Sequence, residues 1–251
     1  MWSGGRSLKL VAFAGVLAAW QGSANGQTPL CDQQHPGNPE LIMGAASCFY
    51  SEVNGGQTLI QLNSGSIIRW DHLGLQDPSS SLVFQWLGDA DTTGVVLNQV
   101  DQTGRQEAVL GGRLSFPDGN LIISHPNTGL NILGAVEAGS VTIVTQNLDA
   151  QASAQLMNGE GANFMNAAPG SRLNILGGKV SSTSGDVVLG GPAVLIGGGD
   201  DGGSEIFAPA GSVRIFGGES FRLLPEGGSA GSVRIERLPG SVNGLSLIHI
   251  S

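Results

Sequence analysis

GNLIISHPNTGLNILGAVEAGSVTIVTQNLD, residues 119–149, holds two acids, Glu137 and Asp149, and otherwise alternates short Leu/Ile/Val runs with Gly, Asn, Ser and Pro. β-branched runs of three to five residues between turn-forming residues read as short strands, because branched side chains suit a pleated surface and Gly or Asn permits tight turns. The same rhythm extends outward from this stretch in both directions. TLIQL, SIIRW, SLVFQWL and VVLNQV precede it, and RLNIL, DVVL, AVLI, EIF, SVRIF, FRLL and SVRIE follow. No run carries a sustained helical period, although DAQASAQLMNG at 149–159, rich in Ala and Gln, has room for one short helix.

Some runs repeat. LNILG starts at Leu130 and again at Leu173, 43 positions on, close to two periods of about 20. GSVRI starts at Gly211 and again at Gly231, and GSVTI starts at Gly139. A period near 20 with three short strands per repeat predicts an all-β fold, a parallel single-stranded solenoid whose coils stack on one another. Val213 and Ile215 are then expected to point inward and Arg214 to solvent, with Val233, Arg234 and Ile235 repeating the pattern. A β-sandwich with coincidental repeats is the alternative.

Composition agrees with a β-rich, turn-rich chain. There are 41 glycines among 251 residues, 5% aromatics, 12% charged residues, and only two lysines, Lys9 and Lys179. A hydrophobic content of 40% excludes a disordered chain. The formal charge of −9 opposes contact with phosphate backbones, so no nucleic-acid partner is expected. No polybasic segment suggests attachment to anionic lipid.

Residues 1–26 read as a secretory signal peptide. Arg6 and Lys9 precede an apolar core, LVAFAGVLAAW, too short to span a bilayer, and small residues follow at cleavage positions after Ala24 or Gly26. In an oxidising compartment Cys31 and Cys48 favour a disulfide, with two free thiols as the alternative. LSLIHIS, residues 245–251, breaks the pattern and resembles translated sequencing-adapter DNA. It is set apart from the functional reading together with His249.

Chemistry-bearing patterns are sparse. GGSAG at 227–231 fits G-x-S-x-G but lacks a strand-to-helix elbow and a later triad His outside 245–251. GGGDDGG at 197–203 is a single copy, whereas calcium-binding Gly-Asp turns need stacked repeats. His35, His72 and His125 lack metal-ligand spacing. Trp70 and Trp86, the only tryptophans after residue 26, are expected in the core. No catalytic residues, metal or cofactor are expected.

Three blocks, in order, resemble the haemagglutination-activity, or two-partner-secretion, domain that begins large exoproteins related to filamentous haemagglutinin. Ile68-Arg69-Trp70-Asp71-His72-Leu73-Gly74-Leu75 resembles a family pattern of Ile, Trp and Phe-x-Ile, with Leu73 and Leu75 in the last two places. Val96-Leu97-Asn98-Gln99-Val100 resembles a Leu-Asn-Arg-Val block, with Gln99 for the Arg. His125-Pro126-Asn127-Thr128-Gly129 stands where the family has Asn-Pro-Asn-Gly, followed by a Val-rich strand and Asn147-Leu148-Asp149.

The resemblance implies a right-handed parallel β-helix with N-terminal capping β elements. It implies a two-partner-secretion domain over residues 27–160, with further coils over 161–244. It further implies export through an outer-membrane β-barrel transporter with periplasmic POTRA domains, and an extracellular or cell-surface adhesin that meets a receptor or glycan. Delivery of a toxin or a haem-acquisition module, or a β-helix polysaccharide-active enzyme, are the alternatives. Trp70, Asn98, Pro126, Asn127 and Gly129 are the residues the resemblance marks for secretion or partner recognition. In the turn itself, Pro126 fixes φ, Asn127 can cap with its side chain, and Gly129 permits a left-handed conformation.

Overall fold

The computed structural model describes residues 29–250 except 32–34, 74, 89–93, 102–106, 199–201, 227–228 and 239–245. The signal-peptide reading of residues 1–26 lies outside the described residues, as do parts of 197–203 and 227–231.

The elements run β1 (Glu40–Met43), β2 (Ala46–Ser51), β3 (Gln57–Leu62), β4 (Ser66–Trp70), β5 (Ser81–Trp86), β6 (Val95–Val100) and β7 (Ala108–Leu110). They continue with β8 (Arg113–Ser124), β9 (Leu130–Ile132), β10 (Ala135–Val144), α1 (Ala150–Met157), β11 (Ala162–Phe164), β12 (Leu173–Leu176) and β13 (Lys179–Ser182). The last are β14 (Val187–Gly191), β15 (Val194–Gly197), β16 (Glu205–Phe207), β17 (Val213–Gly217), β18 (Phe221–Glu226), β19 (Ser229–Arg237) and β20 (Ser246–Ile250). The chain is therefore mainly β, with one short α-helix among the described residues.

Three parallel ladders organise these strands. In the first, β3, β5, the start of β8, the start of β10, β13 and β16 pair in succession. In the second, β4, β6, the end of β8, the end of β10, β14 and β17 pair in succession. The third is β7, β9, β12 and β15. From β7 onward the chain visits ladders three, one and two and then returns to ladder three one strand further along. Ladders one and two are joined through β8 and β10, which turn the corner between them. The ladders continue across residue 160, because β9 pairs with β12 and β10 with β13 and β14.

Inward side chains from all three ladders form one core, with Ile60, Leu114, Leu121, Leu130, Ile132, Ile143, Ile175 and Leu189 almost wholly shielded. Each such side chain contributes about 1.5–3 kcal/mol of burial. The LNILG copies lie directly on one another, Leu130 on Leu173 and Ile132 on Ile175. Their spacing of 43 therefore corrects the reading of two periods: it is one passage lengthened by the insertion carrying α1 and β11. That helix, at the place its Ala/Gln content suggests, is capped by the Asp149 carboxylate accepting from Ala152 N at 2.7 Å.

The GSVRI pair corrects the period a second time. Gly211–Ile215 enters ladder two, but the copy at 231–235 belongs to β19, antiparallel to β18 in a separate sheet. GSVTI at 139–143 is the true register mate of GSVRI at 211–215, because Val141 pairs with Val187 and Val187 with Val213. Arg214 does not face solvent; its guanidinium holds the buried Asp186 carboxylate.

Ladder two is covered on its outer face too. Ile67, Val95, Leu97, Ile122, Val144 and Val188 form a second apolar cluster with Leu156 of α1, Phe164 of β11 and Phe221 and Leu223 of β18. Two-sided burial explains why these strands read as unbroken apolar runs such as Val95-Val96-Leu97, whereas β3 alternates.

Both ends depart from the parallel pattern. At the N-terminal end β1 lies antiparallel to β4, and β2 antiparallel to β3. Such pairing occupies the first edges of ladders two and one, which would otherwise offer unpaired N–H and C=O groups. At the other end β20 pairs antiparallel with β17. Among the described residues, ladders one and three finish at β16 and β15, where Phe207, Leu195 and Ile196 are exposed.

The corner in β8 needs glycine. Pro117 and Asp118 are extra relative to β10, where the register shifts between Ala138 and Ser140. Gly119 then passes beneath the Phe116 ring, and a Cβ there would overlap the ring. Phe116 is buried against Phe84 and Trp86, so it has little room to move. Gly119→Ala is expected to cost roughly 1–3 kcal/mol by overpacking, measured as a lower urea midpoint with an unchanged slope.

Candidate functional site

The residues marked by the resemblance fall into two places. Trp70 on β4 and Asn98 on β6 both point into the core and are wholly shielded from solvent. They are brought together: the Trp70 indole N–H donates to Asn98 Oδ1 at 2.9 Å, and Asn98 Nδ2 donates to the Ile122 carbonyl at 3.4 Å. Asn98 is thus a polar side chain inside an apolar core that satisfies the one polar atom of a buried tryptophan, and its amide also reaches the neighbouring strand. In the folded domain neither side chain reaches the surface. Trp86 is also buried, with its N–H on the Asp118 carbonyl at 3.0 Å.

The turn at 125–129 joins ladder two to ladder three. Ser124 Oγ donates to the Gln146 carbonyl at 2.7 Å, and His125 N donates to the Val144 carbonyl at 2.9 Å, which ties this corner to the next. Pro126 is buried, and its carbonyl accepts from Ala168 N at 2.9 Å. Thr128 O receives the Ser171 hydroxyl at 3.1 Å. Asn127 alone in this turn is exposed. Two expected turn roles are corrected: Asn127 makes no side-chain cap among the described residues, and Gly129 is not left-handed. Gly129 is instead a place of close approach, where a Cβ would sit 3.0 Å from the Glu107 side chain.

His125, which replaces an Asn of the family pattern, is fully buried. Its Nδ1 lies 3.3 Å from the Thr128 carbonyl, so this nitrogen carries the proton, and Nε2 has no partner among the described residues. Desolvation lowers its pKa below the ordinary histidine value, more than the hydrogen bonds to backbone carbonyls raise it, and the ring is neutral at pH 7.

His35, which has no metal-ligand spacing in the sequence, is the polar centre of the N-terminal end. Its ring packs against Tyr50 and Trp70 at centroid distances of 4.7 and 5.5 Å. Nδ1 accepts from Gly37 N at 2.9 Å, so Nε2–H faces Thr58 Oγ1, also at 2.9 Å. Burial, and next the charge of nearby His72, lowers its pKa from 6.5 to about 4. Nothing in the sequence signals this, because its partners come from three separate segments. Beside it, Cys31 and Cys48 are joined as a disulfide with Cα atoms 4.7 Å apart, fastening residues 29–31 onto β2. Among the described residues no group of three or more His, Cys, Asp or Glu is placed to hold a metal ion.

Two measurements follow from this geometry. Asn98→Leu keeps the volume but strands the Trp70 N–H, and a loss of about 1–3 kcal/mol is expected in urea unfolding. His35 has a folded pKa below its unfolded one, so its contribution is complete above pH 6.5 and falls away as pH drops toward 4. Tm should decline across that window, and His35→Gln should flatten the decline.

No family model matches the sequence, and no curated protein matches it. Among solved structures, the chain is similar in fold to the crystal structure of the HMW1 secretion domain from Haemophilus influenzae. The TM-score is 0.55 at 17% identity, over 74% of this chain and 46% of that one, so the chain spans about half the length of the structure it matches.

Proposed function

We infer that this chain is the secretion-directing head of a two-partner-secreted exoprotein. In this reading the three ladders are the faces of a right-handed parallel β-helix, the hand that parallel crossover connections adopt almost without exception. The carrying observation is the fold: stacked parallel ladders closed at their N-terminal end by antiparallel strands, similar to a protein whose own description is a secretion domain. The ordered blocks around Trp70, Asn98 and Pro126–Gly129 support it independently of the fold comparison.

The mechanism needs binding and folding rather than catalysis. After export to the periplasm the chain engages the periplasmic domains of an outer-membrane β-barrel transporter. It then folds outside the cell passage by passage, each strand finding its hydrogen-bond partners on the one before. Burial of apolar side chains at each step favours outward movement. The buried Trp70–Asn98 pair sets the register of the early strands, and exposed Asn127 is the turn residue placed to meet the transporter. The whole exoprotein is read as a cell-surface adhesin.

Co-expression with the cognate transporter tests this. Asn127→Ala should reduce the amount of chain in the medium while leaving the urea midpoint unchanged. Export at the parental level would remove Asn127 from recognition, and export that does not depend on the transporter at all would overturn the reading.

A further inference from the structure

The disulfide lies where the finished N-terminal end hides it. Cys31 and Cys48 are 6% and 8% exposed and belong to the core cluster that includes Ile60 and Trp70. Cys48 stands within β2, opposite Ile60 of β3, and Cys31 lies beside it in a parallel bridge. The backbone around them is closed as well. Leu30 N donates to the Pro39 carbonyl at 2.7 Å, Pro29 bridges Glu40 of β1, and the Leu30 and Ala46 side chains pack against the same core.

A disulfide forms by attack of a thiolate on a disulfide sulfur, so the sulfurs must be able to meet. With residues 29–31, β1 and β2 in place, neither cysteine offers its sulfur to a protein oxidant. The bond is therefore made on a chain whose N-terminal end is still open. Both cysteines precede every strand of the three ladders, and pairing of β2 with β3 and β1 with β4 is complete by residue 70. In passage-by-passage folding outside the cell this end closes first. The open chain is thus the one in the periplasm, an oxidising compartment.

We propose that this chain is the substrate of a periplasmic dithiol oxidant, a protein carrying a reactive disulfide, and that it crosses the outer membrane with the Cys31–Cys48 loop already closed. This rests on the export reading above. The Cys31 thiolate attacks one sulfur of the oxidant's disulfide and expels the other as a thiolate. The Cys48 thiolate then attacks Cys31 Sγ and expels the oxidant's first sulfur. Two electrons and two protons pass from the chain, and the oxidant leaves as a dithiol. The sequence has no third cysteine, so oxidation alone gives the native pairing and no isomerisation is needed. The barrel then admits two chain segments abreast over a loop with a sequence separation of 17. Outside, the closed loop holds Cys31 beside β2 before β2 meets β3, which shortens the search for that end of the fold.

Thiol alkylation after acid quench, read by mass spectrometry, tests the order of events. In cells without the transporter the full chain is held in the periplasm, and both cysteines there should be unlabelled unless first reduced. In cells lacking the thiol oxidant as well, labelling should rise about fivefold or more. Free thiols on the retained chain, or equal oxidation with and without the oxidant, overturns the proposal. With the transporter present and a membrane-impermeant maleimide in the medium, the chain should emerge unlabelled. Labelled chain shows that the loop crosses open, and overturns the closed crossing. Dithiothreitol should reduce the folded secreted chain about tenfold or more slowly than the same chain in urea. Equal rates overturn the shielding on which the order depends. Chain that reaches the medium equally without the transporter overturns the export reading, and the closed crossing with it, whatever the thiol state.

Discussion

Parallel hydrogen bonding between successive passages is the constraint on which everything else depends. A strand of three to six residues has too few bonds to stand alone, and each backbone group must find its partner on the strand before or after it. Once Leu130 lies on Leu173 and Val141 on Val187, the corners between ladders must recur at matching places. The Gly119 bend, the buried Ser and Thr of the corners, and the tolerance of a long insertion after Val144 all follow. An insertion is accommodated wherever its two ends leave and rejoin the stack at adjacent positions.

The same constraint explains the two unlike environments of the strands. Ladder three presents one face to the core and on the other sets Asn131 and Asn174 between Val109 and Leu195, with Asn174 donating to Asn131 and Asn131 to Glu107 at 2.7 and 2.9 Å. Ladder two is covered on both faces and has to be apolar on both. The covering elements come from the insertion and from the chain beyond β17, so two distant segments share one apolar surface. Asp186 sits where β19 meets the start of β17, a buried charge satisfied by two backbone N–H groups and Arg214. Removal of either charged partner would leave the other stranded, which is why such a pair makes a position specific more than it makes it stable.

Buried histidines mark the other end. His35 and His125 are both shielded, both neutral at pH 7, and each has one nitrogen engaged with backbone. They hold segments that have little apolar content of their own. Their contribution is polar and geometric, and in the case of His35 it depends on pH between 6.5 and about 4.

Local chemistry determined the strands, most of their positions, the short helix and the turn at 125–129, because alternation and turn residues act within a few positions. It also placed Trp70 in the core, since a chain with so few aromatics buries the large ones. Strand β13 leaves little trace in the sequence because Lys179-Val-Ser-Ser carries a single apolar residue, with serines buried only by neighbouring passages. Strands β1 and β2, which close the N-terminal edge, were equally silent. The coil period is not legible from the GSVRI copies because identical segments serve different sheets; a pentapeptide encodes strand propensity but not its partner. The Trp70–Asn98 bond, the Asp186 contacts and the neutral His35 belong to the tertiary structure alone, since each joins residues 23 to 47 positions apart that only stacking brings within bonding distance.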